Sequence, residues 1–417
     1  MLNKSFNYTP PAALTGSMRD YRHPRGSNLQ DRVEGFAKWR SLRRQHGLCN
    51  DAGGASEGFD FAGSDHLALS AHPAIITVAQ LAIERFGVHG AAHTGPLEKA
   101  IADFTASEDA VLFPNGWSAA FGAIKGLVRS TDHVIMDAGA HAGLHEGAAA
   151  STRNIYLFRH NRLEECRDWL EKIRARDAEN GVLVVTESLF STELDSPDLA
   201  ALQALCQEFG ATLLVDASRD LGLQGEDGRG EIAQQGMLGK IDLIAGSLSF
   251  AFGADGGFVA CRATVAEYLR GFSSACAAPP LSPGRLAAAL KAFEIAESSE
   301  GQSLRARLAA NVQALRQGLA EAGLELQGDP APVVSVALGS EALARLVGRQ
   351  LGKAGLKAET MEFPAAPKGH ARLRLHVSAS HAEAMMAPAV KAIRTAVANA
   401  RAEAEWLQAQ REKLRAG

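Results

Sequence analysis

The chain has 417 residues, of which 46% are hydrophobic and 22% are charged, and its formal net charge is -4. This is the composition of a soluble globular protein, and the length allows a large domain and a smaller one. The weak negative charge gives no basis for a nucleic acid or an anionic membrane surface as a partner.

The cysteines and the N-terminus indicate the compartment. The five cysteines form neither a CxxC pair nor a metal-binding pattern, which favours reduced thiols and no metal site. The start of the chain, Met-Leu-Asn-Lys-Ser-Phe-Asn-Tyr, has no apolar run typical of a signal peptide, and no stretch approaches the ~20 apolar residues that span a bilayer. The sequence therefore predicts a cytoplasmic protein without a membrane span.

Residues 1–55 are predicted to form an N-terminal arm and a helix. Prolines and turn formers indicate irregular structure up to residue 30, and apolar residues at helical spacing predict an amphipathic helix over 28–47. Residues 59–73 are predicted as a strand that leads into a turn.

Residues 56–282 are predicted to form a large α/β domain. Short apolar strands alternate here with amphipathic helices, and the strands are predicted over 110–113, 133–136, 155–158, 181–186, 212–215, 241–245 and 257–261. This alternation predicts a mainly parallel sheet of seven strands with helices on both faces.

Residues 283–417 are predicted to form a smaller α+β domain. A long helix over 283–320, broken near Glu300-Gly301, precedes strands over 333–337 and 373–377 that alternate with helices. The chain ends in a charged helix over 395–414, for which a solvated tail is the simplest interpretation.

Polar residues follow several predicted strands, where ligands bind in open α/β sheets. Asn115, Gly116 and Trp117 open a helix whose N–H groups would suit a phosphate, although a plain strand–helix turn with a core tryptophan is equally compatible. His141 follows the next strand, and a hydrogen-bonded structural histidine is its alternative interpretation. Asp216 ends a buried strand, where a carboxylate needs a partner.

These segments resemble, in order and spacing over residues 30–395, the motifs of the α-oxoamine synthases. Asp137-Ala-Gly-Ala-His141 and Glu187-Ser-Leu-Phe-Ser191 match two of them, and Asn115-Gly-Trp117 is most similar to the aminoketone autoinducer synthases of quorum sensing. Members of this family are fold-type-I pyridoxal-phosphate enzymes that join an amino acid to an acyl thioester. The resemblance implies an aminotransferase-like large domain, a small C-terminal domain and a dimer.

The resemblance also implies roles for single residues. His141 would stack on the cofactor's pyridine ring and Asp216 would pair with its nitrogen, with Glu187 beside them. Arg374, in a segment similar to the family's Arg-Leu-Arg motif, would grip a substrate carboxylate, although a strand arginine paired with an acid is the alternative. The remaining expected contacts are cofactor contacts at Asn115, Gly116, Trp117, Ser191, Ser247 and Ser249, and substrate contacts at Ser64 and His93.

Two departures from the family pattern concern the cofactor itself. The segment Gly246-Ser-Leu-Ser-Phe250-Ala-Phe-Gly253 is similar to the family's Gly-Thr-Leu-Ser-Lys-Ala-Phe-Gly, so Phe250 takes the position of the Schiff-base lysine. An imine needs a nitrogen nucleophile, which a phenyl ring does not supply. No lysine occurs between Ile241 and Leu290, so no covalent cofactor is expected. Arg219 takes the place of the histidine that bonds the cofactor's phenolic oxygen, and we expect it to pair with Asp216.

Three functions are therefore open. The first is a non-standard enzyme that uses an acyl thioester of coenzyme A or an acyl carrier protein and a small amino or carboxylate substrate, with His141, Glu187, Asp216 and Arg219 as the catalytic residues. The second is an inactive partner subunit of a lysine-bearing homologue. The third is an enzyme that binds pyridoxal phosphate or pyridoxamine phosphate without a covalent bond.

Overall fold

The computed structural model describes residues 59–89, 93–273, 280–363 and 365–416, together with seven positions of a helix between residues 30 and 41. The predicted N-terminal arm lies outside the described residues. Within them the chain forms two compact units, one of residues 64–308 and one of residues 59–63 with 309–416. The domain boundaries predicted at residues 55 and 282 stay a prediction.

The described residues contain twelve strands and twelve helices of five or more residues outside the segment between 30 and 41. The strands are β1 (Asp60–Phe61), β2 (Asp109–Phe113), β3 (His133–Asp137), β4 (Ile155–Phe158), β5 (Val182–Glu187), β6 (Thr212–Asp216), β7 (Leu243–Ser247), β8 (Gly257–Cys261), β9 (Leu326–Gln327), β10 (Val333–Gly339), β11 (Lys357–Met361) and β12 (Ala371–His376). The helices are α1 (Pro73–Phe86), α2 (Gly95–Thr105), α3 (Gly116–Leu127), α4 (Ala142–Ser151), α5 (Leu163–Arg174), α6 (Leu199–Glu208), α7 (Gly230–Gln234), α8 (Ala263–Phe272), α9 (Pro283–Glu297), α10 (Ser299–Glu321), α11 (Glu341–Lys353) and α12 (Met386–Ala416).

The first unit is built on a seven-stranded sheet in the order β2-β8-β7-β6-β5-β3-β4. The five strands from β7 to β4 are parallel, and β8 runs antiparallel to both of its neighbours. Every residue of β3, β5 and β8 is buried, because helices cover both faces of the sheet. The predicted mainly parallel α/β fold is confirmed.

Three helices of this unit, α1, α7 and α8, were not predicted. Residues 73–86 form α1, which begins with Pro73 at its first turn and is capped by the side chain of His72, whose ring accepts a hydrogen bond from the Ala74 N–H. Ile75 is the buried residue of this helix. The helix packs against α9, where Gly284 leaves room for Ile83.

The predicted break in the long helix after residue 282 lies at Ser298, between α9 and α10. Gly301 makes the tight junction possible, since a Cβ atom there would overlap the carbonyl oxygen of Ala296. We expect Gly301→Ala to lower the free energy of unfolding by about 1–3 kcal/mol through overpacking, measured by urea denaturation.

Gly271 provides the matched control, because it is also helical and no atom lies within 4 Å of the point that a Cβ atom would occupy there. Gly271→Ala is expected to be neutral or to stabilise the protein by about 0.5–1 kcal/mol. Equal effects of the two substitutions would contradict the overpacking argument.

The second unit contains a five-stranded sheet in the order β1-β11-β12-β10-β9. β1 is parallel to β11 and the other pairs are antiparallel. The C-terminal helix α12 is longer than predicted, and Trp406 near its end is 61% exposed. Among the described residues, no helix combines the length and the apolar character needed to cross a membrane.

Candidate functional site

The candidate site lies at the carboxyl ends of the parallel strands in the first unit. The β5–β6 register places Glu187 directly beside Asp216, and Asp216 lies beside Ala245 of β7. Both carboxylates are almost completely buried, at 2% and 3% exposure. Two buried acids at one sheet edge need hydrogen-bond partners or must take up a proton, and the neighbouring residues supply hydrogen bonds to both acids.

His141 is the main partner of Asp216. Its Nε2 lies 2.8 Å from Asp216 Oδ2, while its Nδ1 accepts a hydrogen bond from the Gly143 N–H at 3.0 Å and so caps α4. Burial lowers the pKa of His141, but the bond and charge of Asp216 outweigh burial and raise it. Because Nδ1 accepts from the Gly143 N–H, Nε2 is the nitrogen whose proton faces Asp216.

Glu187 and Asp216 have opposite protonation behaviour. Glu187 accepts a hydrogen bond from the backbone N–H of His141 at 2.6 Å, and burial raises its pKa to about 7. Burial also raises the pKa of Asp216, but the bonds from His141 and Ser218 outweigh it and hold that pKa below its usual value. Two carboxyl groups with such different pKa values can take different roles, one exchanging a proton and the other staying ionised. Here Glu187 would exchange the proton and Asp216 would stay ionised.

The predicted pair of Asp216 with Arg219 is wrong, since Asp216 pairs with His141 instead. The guanidinium carbon of Arg219 lies 4.2 Å from the centroid of the Phe250 ring, in a cation–π contact. The turn that carries Phe250 is held by its carbonyl oxygen, which accepts a hydrogen bond from the His66 N–H at 3.1 Å. The cation therefore lies over the aromatic ring.

The N-terminus of α3 approaches the turn after β7. Asn115 caps this helix, because its Oδ1 accepts a hydrogen bond from the Ser118 N–H at 2.8 Å. A Cβ atom at Gly116 would lie 2.6 Å from the Cβ atom of Ser247, so only glycine permits this approach. The Ser247 hydroxyl in turn accepts a hydrogen bond from the Ser249 N–H at 3.2 Å.

Trp117 lies next to His141 and forms an aromatic platform. Its ring is stacked on Phe121 with centroids 5.1 Å apart, and the residue is 48% exposed. A Cβ atom at Gly143 would lie 2.8 Å from both Trp117 Cδ1 and His141 Cε1. The missing side chain of Gly143 therefore lets the indole and the imidazole come together.

We expect Gly143→Ala to displace both rings and to weaken the His141–Asp216 bond. Its expected cost is about 1–3 kcal/mol of unfolding free energy, together with a changed Trp117 fluorescence spectrum. Gly271→Ala is again the control, and a spectrum unchanged by Gly143→Ala would contradict the predicted displacement.

The other predicted site residues are not part of this cluster of contacts. Ser64 and Ser191 are half-buried, and His93 is exposed. Arg374 belongs to the second unit, where it is 5% exposed and its Nη1 lies 3.4 Å from Glu359 Oε2. The arginine–acid pair that the sequence left open is thus present, and the substrate role of Arg374 stays a prediction.

Sequence reasoning missed Asp220, which ties the ends of β5 and β6 to α7. Its carboxylate accepts hydrogen bonds from the Ser188 hydroxyl and from the Glu231 N–H, and the residue is fully buried. Burial raises the pKa of Asp220 to about 6. The only sequence signal was a second acid four residues after Asp216.

Sequence reasoning also missed His160, which follows β4 at the same edge of the sheet. Its Nδ1 lies 3.0 Å from Asp137 Oδ1 and its Nε2 lies 2.9 Å from Asp195 Oδ1. Burial lowers the pKa of His160, but the two carboxylates outweigh burial and raise it to about 10. His160 therefore carries a positive charge and joins the ends of β3 and β4 to the loop after β5.

The residues fit part of a pyridoxal phosphate site. Asp216 is a buried anion that could pair with a ring N–H, and the capped α3 N-terminus with the Gly116–Ser247 approach could receive a phosphate. The position expected for the covalent anchor holds Phe250, whose ring is covered by Arg219. The residues present therefore fit the ring nitrogen and the phosphate of the cofactor, but they offer no group at position 250 that could bond to it covalently.

Comparisons with known proteins agree on one family. The protein-family model of the class I and II aminotransferases matches residues 64–393. The 8-amino-7-oxononanoate synthase of Klebsiella pneumoniae subsp. pneumoniae is 35% identical over 335 residues, which are 77% of this chain and 85% of the relative. The 2-amino-3-ketobutyrate coenzyme A ligase of Escherichia coli is 31% identical over 344 residues, which are 80% of this chain and 86% of the relative.

A solved structure extends this similarity to three dimensions. It is a lysine-to-alanine variant of the serine palmitoyltransferase of S. paucimobilis with a bound PLP–myriocin aldimine. It is 25% identical, covers 90% of this chain and 100% of its own chain, and has a TM-score of 0.83.

Proposed function

Because this chain belongs to the α-oxoamine synthase family of the class I and II aminotransferases, we propose that it is an acyltransferase that works without a covalently bound cofactor. Its expected donor is an acyl thioester, and its expected acceptor is a small amino or carboxylate compound. The observation that supports this best is the buried cluster of His141, Glu187 and Asp216 beside Arg219.

The cluster supplies the groups that acyl transfer needs. The acceptor's nucleophile attacks the thioester carbonyl carbon, and the carbon–sulfur bond then breaks to release the thiol. Arg219 offers fixed N–H donors to the oxygen that becomes negative, and Glu187, with a pKa of about 7, can hold or release the proton. Asp216 stays ionised and fixes the orientation of His141.

A second candidate is an enzyme that binds pyridoxal phosphate or pyridoxamine phosphate non-covalently. The ionised Asp216 and the glycine cradle at Gly116 favour it. The similar palmitoyltransferase variant, in which a lysine is replaced by alanine, holds a PLP–myriocin aldimine, and this supports cofactor binding by the same fold. When bound, the cofactor would supply an electron sink for a carbanion.

We also propose that the protein is a cytoplasmic homodimer, or a heterodimer with a lysine-bearing homologue. Exposed apolar side chains on and after α1 support a protein contact, since Leu81 is 58%, Phe86 54% and Val88 73% exposed. In the heterodimer the chain would be the partner subunit rather than the catalyst.

Two assays on the purified protein separate these candidates. The first follows thiol release from short- and long-chain acyl-coenzyme A in the presence of amino acids. Acyl transfer predicts thiol release, and Glu187→Gln should reduce it by about 10²-fold or more. Arg229→Gln is the control for removal of a charge away from the cluster, because Arg229 is a half-buried residue of the same unit that contacts Phe104.

The second assay is a titration with pyridoxal phosphate, followed by absorbance and by borohydride trapping with mass spectrometry. Tight binding without a trapped adduct, and without thiol release from cofactor-free protein, would replace the first candidate with the second. No activity and no binding, but capture of a lysine-bearing homologue, would assign the partner role. A trapped adduct on any lysine would contradict the proposal.

A further inference from the structure

Phe250 and Arg219 form one contact unit at the carboxyl ends of β6 and β7. The guanidinium carbon lies 4.2 Å from the ring centroid, well inside the ~6 Å range of a cation–π contact. The ring also has the His66 imidazole as a neighbour, with the ring centroids 6.4 Å apart and the ring planes 27° apart. Both Phe250 and Arg219 are half-buried, so the pair borders solvent rather than the core.

The charge of Arg219 acts on the cluster of His141, Glu187 and Asp216. It lowers the pKa of Glu187 and of His141 through space. The other charged or titratable groups that act on Glu187 are His141 at the start of α4 and Asp216 at the end of β6. A shift of the guanidinium by a few ångströms would therefore change the proton balance of the cluster.

Leucine or lysine at position 250 would not hold the Arg219 guanidinium in the same way. Leucine fills a similar volume but has no negative ring face to attract the cation. Lysine would place an ammonium group against the guanidinium, and like charges repel. The aromatic residue at 250 and the arginine at 219 are thus chemically matched to each other.

We propose that Phe250 is a positioning residue whose ring seats the Arg219 guanidinium beside Glu187 and His141. On this basis the site uses a fixed cation where its relatives are expected to use a lysine amine. The inference rests on the proposed function for the use of Arg219 in acyl transfer. The effect of Phe250 on the position of Arg219 can be measured without any substrate.

The first test uses the fluorescence of Trp117, which lies against His141. The pH dependence of the emission is recorded for the wild-type protein and for Trp117→Phe, and the difference isolates Trp117. The midpoint reports the coupled titration of His141, which lies against the indole, and Glu187, whose pKa is about 7. In Phe250→Leu it should move up by about one pH unit, because the guanidinium, which lowers the Glu187 pKa, loses the ring contact that holds it at this place. Phe250→Tyr keeps the ring and should keep the midpoint.

The second test is a double-mutant cycle of Phe250→Leu and Arg219→Gln by urea unfolding. We expect a coupling of about fivefold in the unfolding equilibrium constant, which corresponds to about 1 kcal/mol. The control cycle uses the exposed Arg167 and the half-buried Phe209, whose guanidinium carbon and ring centroid are 5.6 Å apart, and it should show a coupling below about twofold.

The outcomes separate the inference from the proposed function. An unchanged fluorescence midpoint in Phe250→Leu, or no coupling in the double-mutant cycle, would show that Phe250 does not position Arg219. If Phe250→Leu does not fold, Arg219→Gln must still raise the midpoint while Phe250→Tyr does not, and any other pattern overturns the inference. A shifted midpoint with no thiol release in the substrate assay would leave the inference intact and reject acyl transfer.

Discussion

Replacing Phe250 by lysine and Arg219 by histidine together is expected to give a protein that forms a borohydride-reducible adduct with pyridoxal phosphate. The wild-type protein should form none, because the ring at position 250 has no nucleophile. Asp216 and the α3 N-terminus already offer partners for the ring nitrogen and the phosphate. The expected change is therefore from no adduct to nearly one per chain, read by mass spectrometry after reduction.

The single variants sharpen this prediction. Phe250→Lys alone leaves the new ammonium group beside Arg219, so it should form less adduct than the double variant. Phe209→Lys introduces a lysine at a half-buried aromatic position away from the cluster and is expected to give no adduct. If the double variant also gave none, position 250 would not be where the family's lysine acts.

The second large effect concerns stability and His160. Its pKa of about 10 in the folded protein lies above the ~6.5 of an unfolded chain, so the folded state holds this proton more tightly. The stabilisation is fully present below pH ~6.5 and is lost as the pH rises through about 10. We expect the urea midpoint to fall progressively across this window.

Substitution of His160 tests the origin of this fall. His160→Gln removes the cation from between Asp137, whose side chain is 1% exposed, and Asp195, and it should cost about 3–5 kcal/mol near neutral pH. It should also flatten the pH dependence. His72→Gln is the control, since its partner Glu300 is 56% exposed and such a pair contributes ~1 kcal/mol or less. An equal fall with pH in wild type and His160→Gln would rule out His160 as the source.

Local chemistry was enough to predict the frame of the first unit. Strands buried on both faces are continuous apolar runs, so β2 to β8 could be placed within a few residues from the sequence. Because parallel strands present their carboxyl ends at one edge, the gathering of Glu187 and Asp216 could also be expected. Helix α7, with five residues, is too short to show a helical period, and α1 and α8 were also not predicted.

The sequence by itself determined the fold family, the strand ends that carry the polar residues and the lack of a lysine at position 250. Only the tertiary structure decided that Asp216 pairs with His141, that Arg219 lies over Phe250, and that His160 lies between two acids. Secondary structure follows from spacing within one segment, which the sequence contains. Pairing of side chains depends on which atoms from distant segments arrive within hydrogen-bond distance, and only the folded backbone fixes those separations.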